Sequence, residues 1–247
     1  MIEIIIALIV LAFIMECIDA GFGMGYGTIL SPLLLAFGFA PTVIVPALLI
    51  SQASGGLTAA VFHHKAGNAD FSRGKQDLKV VGIITALGVL ATIFSVVVAL
   101  SIPAVWMKAY IGVLVSVMGL ILVSGYVFKF SWKKIAGIGI ISAFNKGLSG
   151  GGFGPVVTGG QLVVGKEEKS SIGCTTLAEA PICLTGFVAY WLMNGFSEFW
   201  IAIPLCVGAV LAAPFGATIA KRTVGNNKRW LGVLILILGA YTLFKLI

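Results

Sequence analysis

Two glycine-rich runs interrupt an otherwise apolar chain: Gly21–Gly27 (GFGMGYG) and Gly147–Gly160 (GLSGGGFGPVVTGG). Glycine breaks helices and lets backbone N–H groups come close to a ligand. In hydrocarbon, such a break exposes N–H and C=O groups that lipid cannot satisfy, so it survives only where protein covers it or where it lines a polar cavity. A helix restarting after the break aims its free N–H groups, and about half a positive charge, at whatever faces it. Two such ends facing each other make an anion site without any arginine. Pro155 suits the first helical turn, where its missing N–H costs nothing. Gly23, Gly25, Gly27, Gly150, Gly151 and Gly152 are the backbone-binding candidates. Thr28, Ser31, Asn145, Ser149 and Thr158 add hydroxyl or amide groups nearby. The competing reading is that these glycines only allow close helix packing, as small residues do in membranes.

The second group of candidates is ionisable. Glu179 stands ten residues into an apolar helix, close to the middle of a bilayer crossing. An uncompensated carboxylate there costs at least about 2.5 kcal/mol on insertion scales, so it has a partner or carries a proton. Thr175, Thr176 and Cys183 lie on or near its helical face, at i−4, i−3 and i+4. Two roles remain open for Glu179: a proton-coupling group, or a structural hydrogen bond between helices. Asp19 and Lys146 each adjoin a glycine run. They either pair with each other, or Lys146 faces the anion while Asp19 caps a helix. Substrate-binding candidates therefore include Gln52, Lys146 and Thr175, and proton-coupling candidates are Glu179 and Asp19. Glu16, one turn before Asp19, is expected at the outer mouth. His63 and His64 open a basic loop and lack other ligands for a metal, so they are expected at the membrane interface. Nothing calls for a metal or a cofactor.

The elements that must position these groups are transmembrane helices. The 247 residues are 59% hydrophobic and 10% charged, with a mean hydropathy of +1.10, whereas soluble domains are about a quarter charged. Apolar stretches run roughly over 4–18, 27–38, 42–62, 79–100, 104–128, 135–144, 155–164, 170–192, 199–220 and 230–246. A crossing takes about 20 residues. The stretches starting at 42, 79, 104, 170, 199 and 230 suffice, while 4–18, 27–38, 135–144 and 155–164 look like half-helices. The start, Met1-Ile2-Glu3, lacks a basic n-region, so the first helix is expected to be retained. Cys17, Cys174, Cys183 and Cys206 all lie in apolar segments and read as packing residues. Trp106, Trp132, Trp191, Trp200 and Trp230 fall near helix ends, as an aromatic belt requires. The net charge of +7 reports membrane topology here rather than nucleic-acid binding.

Sliding the chain on itself by 127 residues aligns Gly27 with Gly154, Gly38 with Gly165, Leu57-Thr58 with Leu184-Thr185, and Gln52 with Glu179. A shift of 120 aligns Ile111-Gly112-Val113-Leu114 with Leu231-Gly232-Val233-Leu234. Residues 1–128 and 129–247 thus read as two repeats in one integral membrane domain. Each is a short re-entrant-type helical hairpin followed by three transmembrane helices. Three crossings per half invert the second half relative to the first. Lys65, Arg73, Lys75, Lys79, Lys129, Lys133, Lys134, Lys166, Lys169, Lys221, Arg222, Lys228 and Arg229 then share one side, 13 of the 16 Lys and Arg. The positive-inside rule makes that side cytoplasmic and puts both termini outside. If each short pair were one broken crossing helix, Lys166, Lys169 and the 221–229 cluster would fall on the opposite side.

The segments GFGMGYGTILSPLLLAFGFAP at 21–41 and NKGLSGGGFGPVVTGGQLVVG at 145–165 resemble the TauE/SafE family of membrane permeases, the sulfite exporter or toluene sulfonate uptake family. The likeness extends over essentially the whole chain. It implies transport of a small sulfur-containing or other organic anion across the cell membrane, in a protein that is not an enzyme. A homodimer is a candidate assembly. A passive anion channel remains a rival, because facing helix ends also suit a filter. A cation carrier would use Glu179 and Asp19 as ligands. Gly147-Leu148-Ser149-Gly150 matches the G-x-S-G pattern of intramembrane serine proteases, but the chain's two histidines fall in a predicted loop, away from Ser149.

Overall fold

Apolar residues recur on every face of the predicted segments, so each helix must be covered by protein or lipid all round. A computed structural model describes residues 2–124, 132–163, 166–222 and 228–244. They form ten helices: α1 (Ile2–Phe22), α2 (Tyr26–Ala36), α3 (Pro41–Lys65), α4 (Gln76–Ser101), α5 (Ala104–Ser124), α6 (Trp132–Ser149), α7 (Phe153–Val163), α8 (Glu168–Asn194), α9 (Phe199–Arg222) and α10 (Lys228–Phe244). The protein is all-α. Helices α1, α3, α4, α8 and α9 are long and apolar enough to cross a membrane. Helices α2 and α7 are 11 residues each, about half a crossing. Leu90, Phe94, Leu192 and Phe215 stand exposed on the outer surface, as lipid-facing positions do.

Two lengths differ from the hydropathy reading. The stretches 4–18 and 135–144 are not half-helices but parts of a 21-residue α1 and an 18-residue α6. Hydropathy truncates α1 because Glu16 and Asp19 interrupt the apolar run. The helix continues through both because protein buries them.

Small residues set the packing. Helix α1 lies along α9 in the same direction, with Ala12 against Gly208 and Ala20 against Gly216. Helix α6 lies along α4 in the same way, with Ile84 against Gly139 and Ser95 against Gly147. Helices α3 and α8 run antiparallel, Leu49 meeting Gly186 and His63 meeting Gly173. So do α5 and α10, where Gly112 meets Leu243 and Gly119 meets Leu236. Exchanging the first five helices for the last five turns the α1–α9 pair into the α6–α4 pair. The same exchange leaves α3–α8 and α5–α10 as they are.

One end of the bundle gathers the loop after α3, the start of α8 and the end of α9. Asn68 Nδ2 donates to the Ala217 carbonyl at 2.8 Å, Ser170 Oγ donates to Asp77 Oδ1 at 2.8 Å, and Lys166 Nζ lies 2.9 Å from Asp77 Oδ1. Lys166 thus shares an end with the 66–77 loop. The expected boundary between the repeats at 128/129 lies outside the described residues, as does Lys129.

Candidate functional site

Helix α2 begins just after Gly23 and Gly25, which have φ of 73° and 135°; α7 begins just after Gly150 and Gly152, with φ of 73° and 78°. Only glycine adopts these angles without strain, and each turn joins two helices across three residues. The two turns meet tip to tip. A methyl group on Gly27 would collide with the carbonyl of Gly150, and one on Gly154 would lie 2.5 Å from the carbonyl oxygen of Gly23. One on Gly151 would sit 2.8 Å from the carbonyl of Gly27 and 2.9 Å from the Thr28 nitrogen.

Polar side chains lace the tips together. The Gly152 N–H donates to Thr28 Oγ1 at 3.2 Å, Thr158 Oγ1 donates to the Gly23 carbonyl at 2.8 Å, and Ser31 Oγ donates to the Ser149 carbonyl at 2.8 Å. Thr158 also reaches Thr175 at 2.9 Å, and Tyr110 donates to Asn145 Oδ1. Gly25, the N-cap residue of α2, has no side chain with which to cap the helix, and the first N–H of α2 is taken by Asp19. The first N–H groups of a helix lack intrahelical acceptors, so these turns present donors at the junction.

A buried polar chain runs beside the tips. Lys146, at the end of α6, lies 2.7 Å from Glu179 of α8, with side-chain exposures of 1% and 4%. Lys146 Nζ also donates to Gln52 Oε1 of α3. Gln52 Nε2 donates to Asp19 Oδ2 at 3.1 Å, and Asp19 Oδ1 accepts the Tyr26 N–H at 3.0 Å. Asp19 therefore caps α2, while Lys146 pairs with Glu179 rather than with Asp19. Gln52, Asp19, Lys146 and Glu179 form one connected set, and Thr175 lies one turn from Glu179, bonded to Thr158 and to Gln161.

Two residues sit elsewhere than sequence suggests. Glu16, expected at the outer mouth, is 1% exposed, and neither of its oxygens has a hydrogen-bond partner among the described residues. His63, expected at the interface, is fully buried, with Nδ1 3.0 Å from Asn68 Nδ2. Both misplacements arise because a helix can be polar at a point where another helix, not lipid, covers it. The signal for Glu16 was its i, i+3 spacing to Asp19, which sets both on one face. Among the described residues no group of three His, Cys, Asp or Glu could hold a metal ion, and all four cysteines are free thiols. Trp106, Trp191 and Trp200 are exposed. The side chains of Trp132 and Trp230 lie outside the described residues.

Residues 8–242 match the family model described as sulfite exporter TauE/SafE. The chain belongs to the TauE/SafE family. The match covers both glycine turns and the whole Asp19–Gln52–Lys146–Glu179 set. A curated relative, the probable membrane transporter protein YtnM of Bacillus subtilis (strain 168), is 26% identical over 92% of this chain and 78% of its own length. No solved structure gives a significant match. This TauE/SafE protein is a multi-pass membrane transporter, and the buried junction of α2 and α7 beside Lys146 is its candidate substrate site.

Proposed function

We propose that the protein is a secondary transporter for a small sulfur-containing or organic anion of the sulfite and sulfonate class. The observation that carries this reading is the tip-to-tip meeting of two glycine turns, each opening a helix N-terminus, beside a buried ammonium group. Amide donors and positive helix ends suit an oxyanion, and Lys146 adds a full charge. In the arrangement described, the turns are in backbone contact, which favours a gated carrier over an open pore. An anion entering the site competes with Glu179 for Lys146. Protonating Glu179 frees the ammonium for the substrate, and Asp19, linked through Gln52, feels the same change. Through this exchange Glu179 and Asp19 couple anion movement to a proton. For import, a monovalent anion alone is opposed by about 2.3 kcal/mol per 100 mV of inside-negative potential, and a proton carried alongside cancels that.

Two halves of opposite orientation belong to this mode of action. What speaks for inversion is the antiparallel packing of α3 on α8 and of α5 on α10, together with the parallel α1–α9 and α4–α6 pairs. The shared end of Lys166 and the 66–77 loop favours hairpins over broken crossing helices. Basic loops then face the cytoplasm and both termini face outside. Alternating access would part the α2 and α7 tips on one side at a time.

The test is a thermal-shift screen of purified protein against sulfite, sulfate, thiosulfate, sulfonates and small carboxylates, followed by liposome uptake of the best ligand. Stabilisation by a sulfur oxyanion, with uptake above the equilibrium level when a pH gradient is imposed, is the expected result. Purely downhill, ohmic flux would mean a channel, and stabilisation by cations alone would overturn the reading.

A further inference from the structure

Glu16 is a buried carboxylate that the anion site does not use. It shares a face of α1 with Asp19, yet both of its oxygens lack partners among the described residues. The space it fills belongs to one half only. A methyl group on Gly55 of α3 would lie 3.1 Å from the Glu16 carboxyl carbon and 2.7 Å from Ala209 Cβ of α9. In the other half, a 127-residue shift places Ala143 at the position of Glu16 and Ile182 at that of Gly55. There, Gly88 of α4 is packed by Ile182 and Ala143, so aliphatic groups fill the site. Gly55 opens the equivalent space and a carboxyl group occupies it. Packing alone does not need that exchange.

Burial and the lack of a hydrogen-bond donor among the described residues decide what form Glu16 takes, and the charges nearby add to them. Asp19 and Glu179 repel a charge on Glu16, and Lys146 attracts one. Three carboxyl groups thus lie near one ammonium, which bonds only one of them, Glu179. Lys146 is engaged by Glu179, and Asp19 holds the Tyr26 N–H and the Gln52 amide. Among the described residues nothing comparable reaches Glu16. The Tyr26 phenol of α2 and the thiols of Cys17, Cys183 and Cys206 are its uncharged titratable neighbours; His63, His64 and Lys65 stand at the end of α3, two turns or more beyond Gly55, and Glu168, Lys169, Cys174 and Tyr190 stand towards the ends of α8. Lys221 and Arg222 of α9 stand exposed at its far end. An ionised carboxylate in that position would be buried without a donor, which proteins avoid by neutralising the group.

We propose that Glu16 is a proton-binding site of this transporter, protonated in the conformation described and deprotonated at another stage of the cycle. On deprotonation, the O–H electron pair stays on the carboxylate and the proton leaves to water or to a neighbouring carboxylate. The resulting charge needs Lys146 or a new donor, so the step is tied to rearrangement of the Lys146–Glu179 pair. Its role in coupling rests on the anion-transporter reading above; the protonation itself does not.

Infrared difference spectra of the protein in liposomes, recorded from acid to alkaline pH, read the protonated-carboxyl C=O stretch directly. The band is expected in the wild type, lost in Glu16→Gln, retained in Glu179→Gln and shifted in frequency in Glu16→Asp. The Glu16→Asp shift decides the matter if Glu16→Gln does not fold. A band unchanged in Glu16→Gln, or unshifted in Glu16→Asp, overturns the assignment. In the same liposomes, sulfite uptake with an imposed pH gradient is compared with uptake without one. A several-fold ratio in the wild type should fall to one in Glu16→Gln. A wild-type ratio in that variant overturns the coupling role even if the band is lost. A wild type that carries none of the screened anions removes the anion reading and leaves the band to decide the protonation of Glu16.

Discussion

Replacing Lys146 by methionine keeps most of the side-chain volume and removes the ammonium that Glu179 and Gln52 share. Glu179 loses its partner at 2.7 Å, and Asp19 loses the charge at the far end of Gln52. Breaking a buried ion pair from one side costs about 3–5 kcal/mol, because a buried charge is left uncompensated. In a chain of this size each kcal/mol moves the midpoint by about 2–4 °C, so Lys146→Met should unfold about 6–20 °C lower. The Lys146→Met/Glu179→Gln double variant removes both charges and should recover part of that loss, since contacting residues couple by about 0.5–3 kcal/mol. Thermal unfolding in detergent, followed by near-ultraviolet circular dichroism, measures the two single variants, Lys146→Met and Glu179→Gln, and the double variant. If the double variant loses the sum of the two single losses, Lys146 and Glu179 do not act as a pair. The electrostatic account of the site then fails.

Gly151→Ala puts a methyl group against the Gly27 carbonyl and the Thr28 nitrogen. Backbone cannot yield as a side chain does, so a loss of about 1–3 kcal/mol and weakened sulfite binding should appear together in a ligand-dependent thermal shift. Gly159→Ala, where nothing lies within 4 Å of the added methyl, should leave both measurements near wild type. Outside the membrane, the side-chain and backbone hydrogen bonds of Ser72 hold the Asp70 carboxyl below its ordinary 3.8. A depressed value means the turn is stabilised above the unfolded-state value and loses that support as pH falls through the folded one. The protection factor of the Ser72 amide, which donates to Asp70 Oδ1 at 3.0 Å, should therefore fall as acid protonates Asp70, and Asp70→Asn should abolish that acid dependence. A single cysteine at position 70 should react with membrane-impermeant maleimide only from the cytoplasmic side, and labelling from outside would reverse the proposed topology.

The fold was legible where hydropathy and physics agree. Long apolar runs became α3, α4, α5, α8 and α9, and short ones beside glycine became α2 and α7. Hydropathy failed at α1 and α6 because it treats every residue as if it faced lipid. Glu16 and Asp19 lower the local average, yet neither faces lipid, and Asn145 and Lys146 do the same at the end of α6. His63 was misplaced for the same reason. A sequence window records how polar a residue is, not whether α8 and Asn68 are there to cover it.

The site was legible through the 127-residue shift, which pairs Asp19 with Lys146 and Gln52 with Glu179 before any coordinates are known. Within each half, the residue at the end of the first helix bonds its mate on the third: Asp19 to Gln52 at 3.1 Å and Lys146 to Glu179 at 2.7 Å. The geometry repeats and the charges do not. One half offers an acid and an amide, the other a base and an acid, and the Lys146–Gln52 bond joins them. Two copies of Asp19–Gln52 would bring no cation to the tips. Two copies of Lys146–Glu179 would bring two self-neutralised pairs. In the proposed mechanism the mixed set leaves one ammonium for an anion to draw from Glu179, and a nearby carboxyl group, Glu16, that this ammonium does not serve. Sequence alone marks the unequal mates, but which residue bonds which depends on α3 and α8 packing on each other beside the two glycine turns, and that is a property of packing.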